Sequence, residues 1–272
     1  MSTTRRMVGL TILTVLMFSS VFPLVGMVLT AFKTPGIPTS GLSLPDVWHW
    51  ENFATAWRVA EFPMLMKSSL LICLGTVPAG LLTCTMAGFA LGYLKVPGHK
   101  VVYATFLAGL VLPFEAAIVA LYDLVSDMHL LGTRWAIILP LIGLSAPFGV
   151  FWMRGHFEAV PAELSESARI DGASSARLFR SIHLPLALPA LLLLALMQFM
   201  GSWNQYMLAI LLVDDPTKRT MGGALGAFSG QYTDDVVLAS AGAVLMMAPS
   251  LIVFAFMQKH FIRSFMAGAV KG

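Results

Sequence analysis

Long apolar runs, separated by short polar segments, dominate the pattern of this sequence. Each run can form a helix of about 20 residues, the length that crosses ~30 Å of hydrocarbon. The runs do not alternate apolar and polar residues as spanning β-strands do, so a bundle of helices is predicted. Six runs are predicted as membrane spans: Val8–Phe32, Ser68–Gly92, Val101–Val125, Trp135–Met153, Leu186–Val213 and Val236–Met257.

The composition supports this interpretation. Hydrophobic residues make up 57% of the chain and charged residues only 11%, whereas a soluble domain carries about 25% charged residues. The mean hydropathy of +0.80 points the same way. The predicted fold class is therefore all-α, a polytopic membrane protein with one transmembrane domain over residues 1–272, and a soluble enzyme is excluded.

The distribution of charge between loops predicts the orientation. With six spans, both termini lie on one side, where the loops and termini hold 11 Lys and Arg against four acids. The loops of the other side, together with Asp123 at the outer end of the third span, hold six Lys and Arg against nine acids. Because basic residues stay cytoplasmic, both termini are expected inside. No basic stripe interleaved with aromatic residues occurs, so nucleic acid is not an expected partner.

Common catalytic and ligand motifs are absent from the sequence. It contains no G-x-x-x-x-G-K-[ST] phosphate loop, no H-E-x-x-H or paired C-x-x-C, and no G-x-S-x-G. The six histidines lie in loops or near span ends and are interpreted as structural. Catalytic, cofactor-binding and metal-binding residues are therefore not predicted, and the chain is not expected to be an enzyme.

The segment Arg154–Pro185, between the fourth and fifth spans, is the most informative loop. Pro161 suits the start of a helix, and Gly172 suits the position just past its end, where φ is often positive. Ser174 or Ser175 could cap a second short helix. Mixed charges disfavour a segment that rests on the negative inner leaflet. A helix–turn–helix that contacts a protein partner on the cytoplasmic face is expected.

The spacing within this loop resembles the EAA loop, E-A-A-x3-G-x9-I-x-L-P, of permease subunits in bacterial ABC importers. The matching positions are Glu166, Ala168, Gly172, Ile182, Leu184 and Pro185. Ser167, at the second position of the motif, replaces its first Ala and is the one departure from it. The runs Ala168–Ala173, Gly201–Tyr206 and Ala267–Gly272 are similar to those of the carbohydrate importers.

This resemblance implies a transmembrane subunit for uptake of a sugar or sugar derivative across the bacterial cytoplasmic (inner) membrane. Its partners would be a second homologous permease, two ATPase subunits, an extracytoplasmic substrate-binding protein and the lipid bilayer. ATP and Mg²⁺ would be bound by the ATPase subunits, so no cofactor is expected in this chain. The residues that would form the ATPase-coupling loop between helices 4 and 5 are Glu166, Ser167, Ala168, Asp171, Gly172, Ile182, Leu184 and Pro185.

A second group of residues is predicted to form a possible substrate path. Glu115 is the acidic residue well inside a predicted span, whereas Asp123 lies at the end of the same span, and intramembrane acids are functional candidates by default. Trp203, Asn204, Gln205 and Tyr206 offer an aromatic face, amides and a phenol, which suit an uncharged polyhydroxylated ligand. For both groups, hydrogen bonding between helices is the alternative interpretation.

Other functions remain open at this point. A related permease could carry glycerol phosphate, a peptide or an amino acid. A self-sufficient secondary transporter would show inverted repeats and often several intramembrane charges, and neither is clear in the sequence. An enzyme that acts on lipid is disfavoured by the missing catalytic motifs.

Overall fold

The computed structural model describes residues 3–36, 42–223 and 235–269, with side chains described for 7–36, 42–223 and 235–258. These residues form helices, turns and loops and contain no β-strand, which confirms the predicted all-α class. Four helices among them are long and apolar enough to cross a membrane, and two further pairs of bent helices would bring the number of spans to six. The chain is therefore a multi-pass membrane protein.

The helices are numbered α1 to α12 along the chain. The first six are α1 (Thr3–Ala31), α2 (Glu51–Val59), α3 (Phe62–Phe89, continued by a π-helical turn over Ala90–Leu94), α4 (His99–Val111), α5 (Ile118–Asp127) and α6 (Trp135–Glu158). The others are α7 (Ala162–Ile170), α8 (Ser175–Leu178), α9 (Leu184–Leu186), α10 (Leu188–Trp203), α11 (Met207–Leu212) and α12 (Val236–Ala269).

The described residues divide into two compact units. The first unit comprises the chain up to Pro63 and the beginning of α12 up to Pro249. Within it, the buried Asn52 amide donates to the carbonyls of Ala31 and Lys33 at 2.9 and 2.8 Å. The first bond satisfies a carbonyl that the end of α1 leaves without a helical partner, and the second holds the carbonyl of Lys33 just beyond the helix. They fix the chain that leaves the first span.

The second unit comprises Met64–Gly223 and α12 from Ser250 onward, and it contains both candidate sites. Its interior is held by close packing of α3 against α6. A Cβ on Gly88 would lie 2.6 Å from the Cβ of Met153 and 2.9 Å from the backbone nitrogen of Arg154. Small residues allow two membrane helices to approach this closely.

The predicted third span, Val101–Val125, is divided in the structure. Helix α4 ends at Val111, a 3₁₀ turn covers Phe114–Ala117, and the two arms meet at an angle of 99°. Pro113 explains the division, because it has no N–H for the helical ladder and pushes Leu112 into an extended conformation. Hydrophobic runs do not reveal such a bend, since both arms are equally apolar.

The predicted fifth span, Leu186–Val213, is also divided. Helix α10 ends at Trp203, where the Asn204 side chain donates to the Met200 carbonyl at 3.0 Å, and the Gln205 amide oxygen accepts from the Leu208 N–H. Such side-chain bonds to the backbone compete with continuation of a helix. At the other end, α10 is bent by 73° from the segment Ser175–Leu186.

The predicted loop Arg154–Pro185 begins later in the structure, because α6 runs on to Glu158. The Arg154 guanidinium pairs with Glu158 at 2.5 Å, four residues further along the same helix, an arrangement that supports a helical turn. Arg154 also lies over the Tyr103 ring, 3.7 Å from its centroid. This pairing and stacking explain why the fourth span extends past Met153.

Candidate functional site: a helix–turn–helix unit and a cavity

The first candidate site is the helix–turn–helix unit, residues 162–186, which contains α7, α8 and α9. Helix α7 begins directly after Pro161, as predicted. At its end, the Ala173 N–H donates to the Ala168 carbonyl at 2.9 Å and the Gly172 N–H donates to the Arg169 carbonyl at 3.0 Å. These are the two bonds of a Schellman motif.

Gly172 occupies the position of positive φ in this turn, with a φ of +78°. A Cβ there would meet no heavy atom within 4 Å, so the requirement for glycine comes from the backbone and not from crowding. The next helix, α8, begins at Ser175 and is capped by Ser174, whose hydroxyl accepts from the Arg177 N–H. Ser174, and not Ser175, is therefore the cap.

A buried hydrogen bond joins the two arms of this unit. Ser165 Oγ on α7 lies 3.0 Å from His183 Nε2, in the π-helical turn over Phe179–His183. His183 is fully buried and Ser165 is 3% exposed. From the sequence, His183 was predicted only as a structural residue and Ser165 was not predicted at all, because nothing in their spacing shows that the two side chains meet.

Aromatic rings surround His183 on the side of the transmembrane helices. Its ring centroid lies 4.3 Å from that of Tyr93, 5.1 Å from that of Phe89 and 5.9 Å from that of Phe157. Phe89 also lies 4.9 Å from Phe179. The aromatic cluster thus connects the helix–turn–helix unit to the ends of α3 and α6, and a displacement of the unit would reach both helices directly.

The outer face of the same unit is exposed. Glu166, Ser167, Asp171 and Gly172 are exposed and Ala168 is half-buried. Ile170 is 87% exposed, although it is a large apolar side chain, and Leu164 on the same helix is 45% exposed. Of the motif residues in the second arm, Ile182 and Leu184 are half-buried and Pro185 is exposed. The unit therefore joins a buried face to a face with apolar groups available for a partner.

The second candidate site is a cavity of about 480 Å³ within the second unit. Its walls come from α3, α4, α6, α10 and the breaks that follow α4 and α10. The volume lies within the ~300–1,000 Å³ typical of small-molecule sites. Polar residues in the walls are Thr76, Ser145, Gln198, Ser202 and Gln205.

The predicted substrate-path residues are only partly brought together by the structure. Gln205 lines the cavity, whereas Glu115, Trp203, Asn204 and Tyr206 are not among its lining residues. Glu115 is exposed in the 3₁₀ turn after α4. Trp203 is buried and stacked on Phe199 at 5.5 Å. Thr76 and Gln198, which also line the cavity, were not predicted from the sequence. Gln198 could have been, because it is a lone amide in the apolar run that forms α10.

The loop after α11 is anchored to the start of α3. Ser68 Oγ donates to the Lys218 carbonyl at 2.7 Å and accepts from Arg134 Nε at 2.9 Å. Nearby, a hydrogen bond from the Thr217 hydroxyl lowers the pKa of Asp215 below its ordinary value. These contacts fix the loop after α11 to the start of α3 and to Arg134, the residue before α6.

Comparison with known proteins identifies the class. Residues 84–266 match the family model described as "Binding-protein-dependent transport system inner membrane component". The chain belongs to this family of ABC transporter permeases, as its EAA-like loop predicts.

Two relatives are similar to this protein over most of its length. The diacetylchitobiose uptake system permease protein NgcG of Streptomyces coelicolor is 32% identical over 254 residues, 92% of this chain and 84% of that protein. The maltodextrin transport system permease protein MdxG of Bacillus subtilis is 31% identical over 261 residues, 96% of this chain and 94% of that protein.

Solved structures share the fold. A chain of a bacterial ABC transporter involved in the import of the acidic polysaccharide alginate superposes with a TM-score of 0.80 at 20% identity, covering 96% of this chain and 99% of the other. The MetNI methionine ABC transporter gives a TM-score of 0.55 at 19% identity, covering 79% and 96%.

Proposed function

We propose that this chain is the transmembrane subunit of an ABC importer that takes up a sugar or sugar derivative. With a second, homologous permease it forms the pathway across the membrane. Two ATPase subunits bind ATP and Mg²⁺ and supply the work, and an extracytoplasmic substrate-binding protein delivers the solute. The relatives NgcG and MdxG, named for diacetylchitobiose and maltodextrin, support the carbohydrate class.

One observation carries the coupling part of this proposal: the helix–turn–helix unit has one face bound to the transmembrane helices and the opposite face exposed. Ser165, His183 and the aromatic cluster hold the buried face. Ile170 and Leu164 are apolar groups on the exposed face. Exposed apolar groups rimmed by polar residues are typical of protein interaction sites.

A rigid unit is required for mechanical coupling. When two ATPase subunits close on ATP, their displacement reaches the pathway only if the connecting element does not deform. The Schellman turn at Gly172 and the buried bond between Ser165 and His183 both oppose deformation. In this proposal the unit faces the cytoplasm, in agreement with the excess of Lys and Arg on that side.

The proposal is tested by copurification and hydrolysis. The tagged chain, expressed with its partner subunits, should retain ATPase subunits, and the substrate-binding protein loaded with sugar should stimulate ATP hydrolysis by the complex. Stimulation by glycerol phosphate, a peptide or an amino acid, and not by a sugar, would move the assignment to one of those solutes. Failure to retain any ATPase subunit would overturn it.

A further inference from the structure

The segment that connects the first two long apolar helices begins and ends at one membrane surface. Helix α1 ends at Ala31 and α3 begins at Phe62, and both are long and apolar enough to span the membrane. Between them, α2 has nine residues, which gives a helix about 14 Å long, too short to cross ~30 Å of hydrocarbon. Since α2 is the one helix between these spans among the described residues, the end of α1 and the start of α3 lie on the same side.

Both ends of α2 are tied to the ends of these spans. In its first turn, the Asn52 amide donates to the carbonyls of Ala31 and Lys33 at 2.9 and 2.8 Å. Near its other end, Trp57 stacks on Phe62, with the ring centroids 5.3 Å apart. Two residues separate the end of α2 from the start of α3. A short helix that is held in this way at both ends lies along the membrane surface.

One face of α2 is buried and the neighbouring face is aromatic. Asn52 and Ala56, four residues apart, are buried. Trp50, directly before the helix, is followed by Phe53 and Trp57 at spacings of three and four residues, so the three rings lie on one side. Trp50 is 69% exposed and Trp57 is 38% exposed. Large aromatic groups therefore remain available beside the face that packs on the protein.

The remaining face of α2 is polar. Glu51 and Arg58 are exposed and lie seven residues apart, on one side of the helix. Glu51 pairs with His49 at 2.6 Å, and Arg58 Nε donates to the Ala54 carbonyl one turn earlier at 3.3 Å. A helix with an apolar face and a polar face is the form that lies in the plane of a membrane interface.

A cluster of aromatic rings places this face at the level where α1 ends. Phe32 directly follows α1 and is 8% exposed. Its ring centroid lies 5.0 Å from that of Trp48, 4.7 Å from that of Trp50 and 5.0 Å from that of Phe53. Trp48 and Trp50 stay exposed in spite of this packing. Tryptophan is enriched at membrane interfaces, because its ring is apolar while its N–H can bond to water or headgroups.

Charge does not account for a membrane contact at this segment. Residues 42–63 contain three acids, Asp46, Glu51 and Glu61, and one basic residue, Arg58. Anionic lipids attract basic segments, so this segment gains nothing from anionic headgroups. Attraction to a bilayer must come from the aromatic side chains, and it should not depend on the charge of the lipid.

We propose that α2 is an interfacial helix that inserts Trp50 and Trp57 into the boundary between the lipid headgroups and the acyl chains. Phospholipid is the occupant of the aromatic face, and in the proposed orientation the surface is the outer one. Helix α1 is exposed along most of its described length, while Asn52 and the rings around Phe32 hold its end. Helix α2 thereby anchors the first span at a set depth, whichever solute is transported.

The first test measures the fluorescence of Trp50 in the full chain held in lipid nanodiscs, with Phe at the other five of its six tryptophans. An interfacial side chain lies about 5–10 Å into the headgroup–acyl boundary. Phosphatidylcholine brominated near the headgroup end of its acyl chains should therefore quench Trp50 more than lipid brominated near the terminal methyl groups. Replacement of part of the lipid by phosphatidylglycerol should leave the quenching unchanged. The matched control keeps the buried Trp203 instead and should be quenched little by either lipid.

The second test uses the complete importer and leaves the other tryptophans in place. Trp57→Cys and Arg58→Cys put a nitroxide label on the aromatic face and on the polar face of α2. The buried Cys73 and Cys84 are replaced by Ala, and this chain is labelled before it is assembled with its partners. The label at position 57 should collide mainly with oxygen, which concentrates in hydrocarbon, and the label at position 58 mainly with aqueous nickel ethylenediaminediacetate. Loaded substrate-binding protein should change neither result.

Three results would overturn the assignment to lipid. The first is Trp50 fluorescence that no brominated lipid quenches, or that is quenched only when phosphatidylglycerol is present. The second is loss of oxygen access at position 57 when the loaded binding protein is added, which would assign the face to that protein. The third is a label at position 57 that neither reagent reaches in the assembled importer, which would assign the face to the second permease. Each of these leaves the proposed transport function standing, because none depends on uptake.

Discussion

Ser165 and His183 meet inside the helix–turn–helix unit, although 18 residues separate them, and the distance from Ser165 Oγ to His183 Nε2 is 3.0 Å. His183 Nδ1 is buried without a partner among the described residues. Among the described residues, the contact with Ser165 is therefore the one hydrogen bond that the His183 imidazole makes. It joins helix α7 to the turn that leads into the fifth span.

Ser165→Ala is expected to loosen the unit. The substitution leaves a buried imidazole without its hydroxyl partner, at a cost of about 1–3 kcal/mol. The measurement is the thermal midpoint of the purified complex together with sugar transported per ATP, and both should fall. Ser167→Ala is the matched control, because the exposed Ser167 hydroxyl donates only to Leu164 in its own helix and should be dispensable. Equal effects of the two variants would contradict the role given to Ser165.

Gly172→Val should uncouple transport from ATP hydrolysis while membrane insertion remains intact. Positive φ disfavours a side chain by about 1–2 kcal/mol, and a β-branched residue shifts the turn further from its Schellman geometry. Uptake and hydrolysis are measured on the same reconstituted complex. The control is Gly155→Val, a glycine of α6 with open space around its Cβ and no positive φ. Normal uptake by the Gly172→Val complex would refute this prediction.

Ile170→Asp should release the ATPase subunits. The side chain is 87% exposed, so the folded subunit tolerates the change, whereas an apolar pocket in a partner would not. Copurified ATPase should fall at least about tenfold, as for loss of an interface anchor of about 1.4 kcal/mol or more. Ile170→Met keeps the apolar contact and should retain the subunits. Full retention by Ile170→Asp would place the docking surface elsewhere.

Gly88→Leu should weaken the packing of α3 on α6. A Cβ alone would come within 2.6 Å of Met153, and larger groups in a packed interior cost about 1–3 kcal/mol or more. The expected result is a lower thermal midpoint and less assembled complex. Gly9→Leu on α1, where a Cβ would meet nothing within 4 Å, is the control and should assemble normally. Equal assembly of both variants would argue against a tight contact at Gly88.

Local sequence signals predicted the helix–turn–helix unit well. Pro161, Gly172 and Ser174 act through their own backbone conformation or through bonds to residues within four positions, so their roles can be inferred without knowledge of the rest of the fold. The all-α class likewise follows from the length of the apolar runs. The all-α class was confirmed, and the structure has the positive φ at Gly172 and the cap at Ser174 that these signals predict.

Long-range and geometric features could not be predicted in the same way. The 99° bend at Pro113 lies inside a run that stays apolar on both sides, and hydropathy carries no information on direction. The pairing of Ser165 with His183 and the convergence of Thr76 with Gln198 at one cavity depend on how distant helices pack. A proline or an amide within an apolar run marks such places, but not which residues meet there.

Uptake by proteoliposomes of defined composition tests the central claim most directly. Vesicles that hold both permeases are prepared with and without the ATPase subunits, and entry of a labelled neutral sugar is measured with the loaded binding protein outside and Mg²⁺–ATP inside. We predict uptake only in vesicles that contain the ATPase subunits. Uptake should be lost in vesicles that contain those subunits but in which this chain carries the Ile170→Asp substitution. Uptake by this chain in vesicles without any ATPase subunit would contradict it.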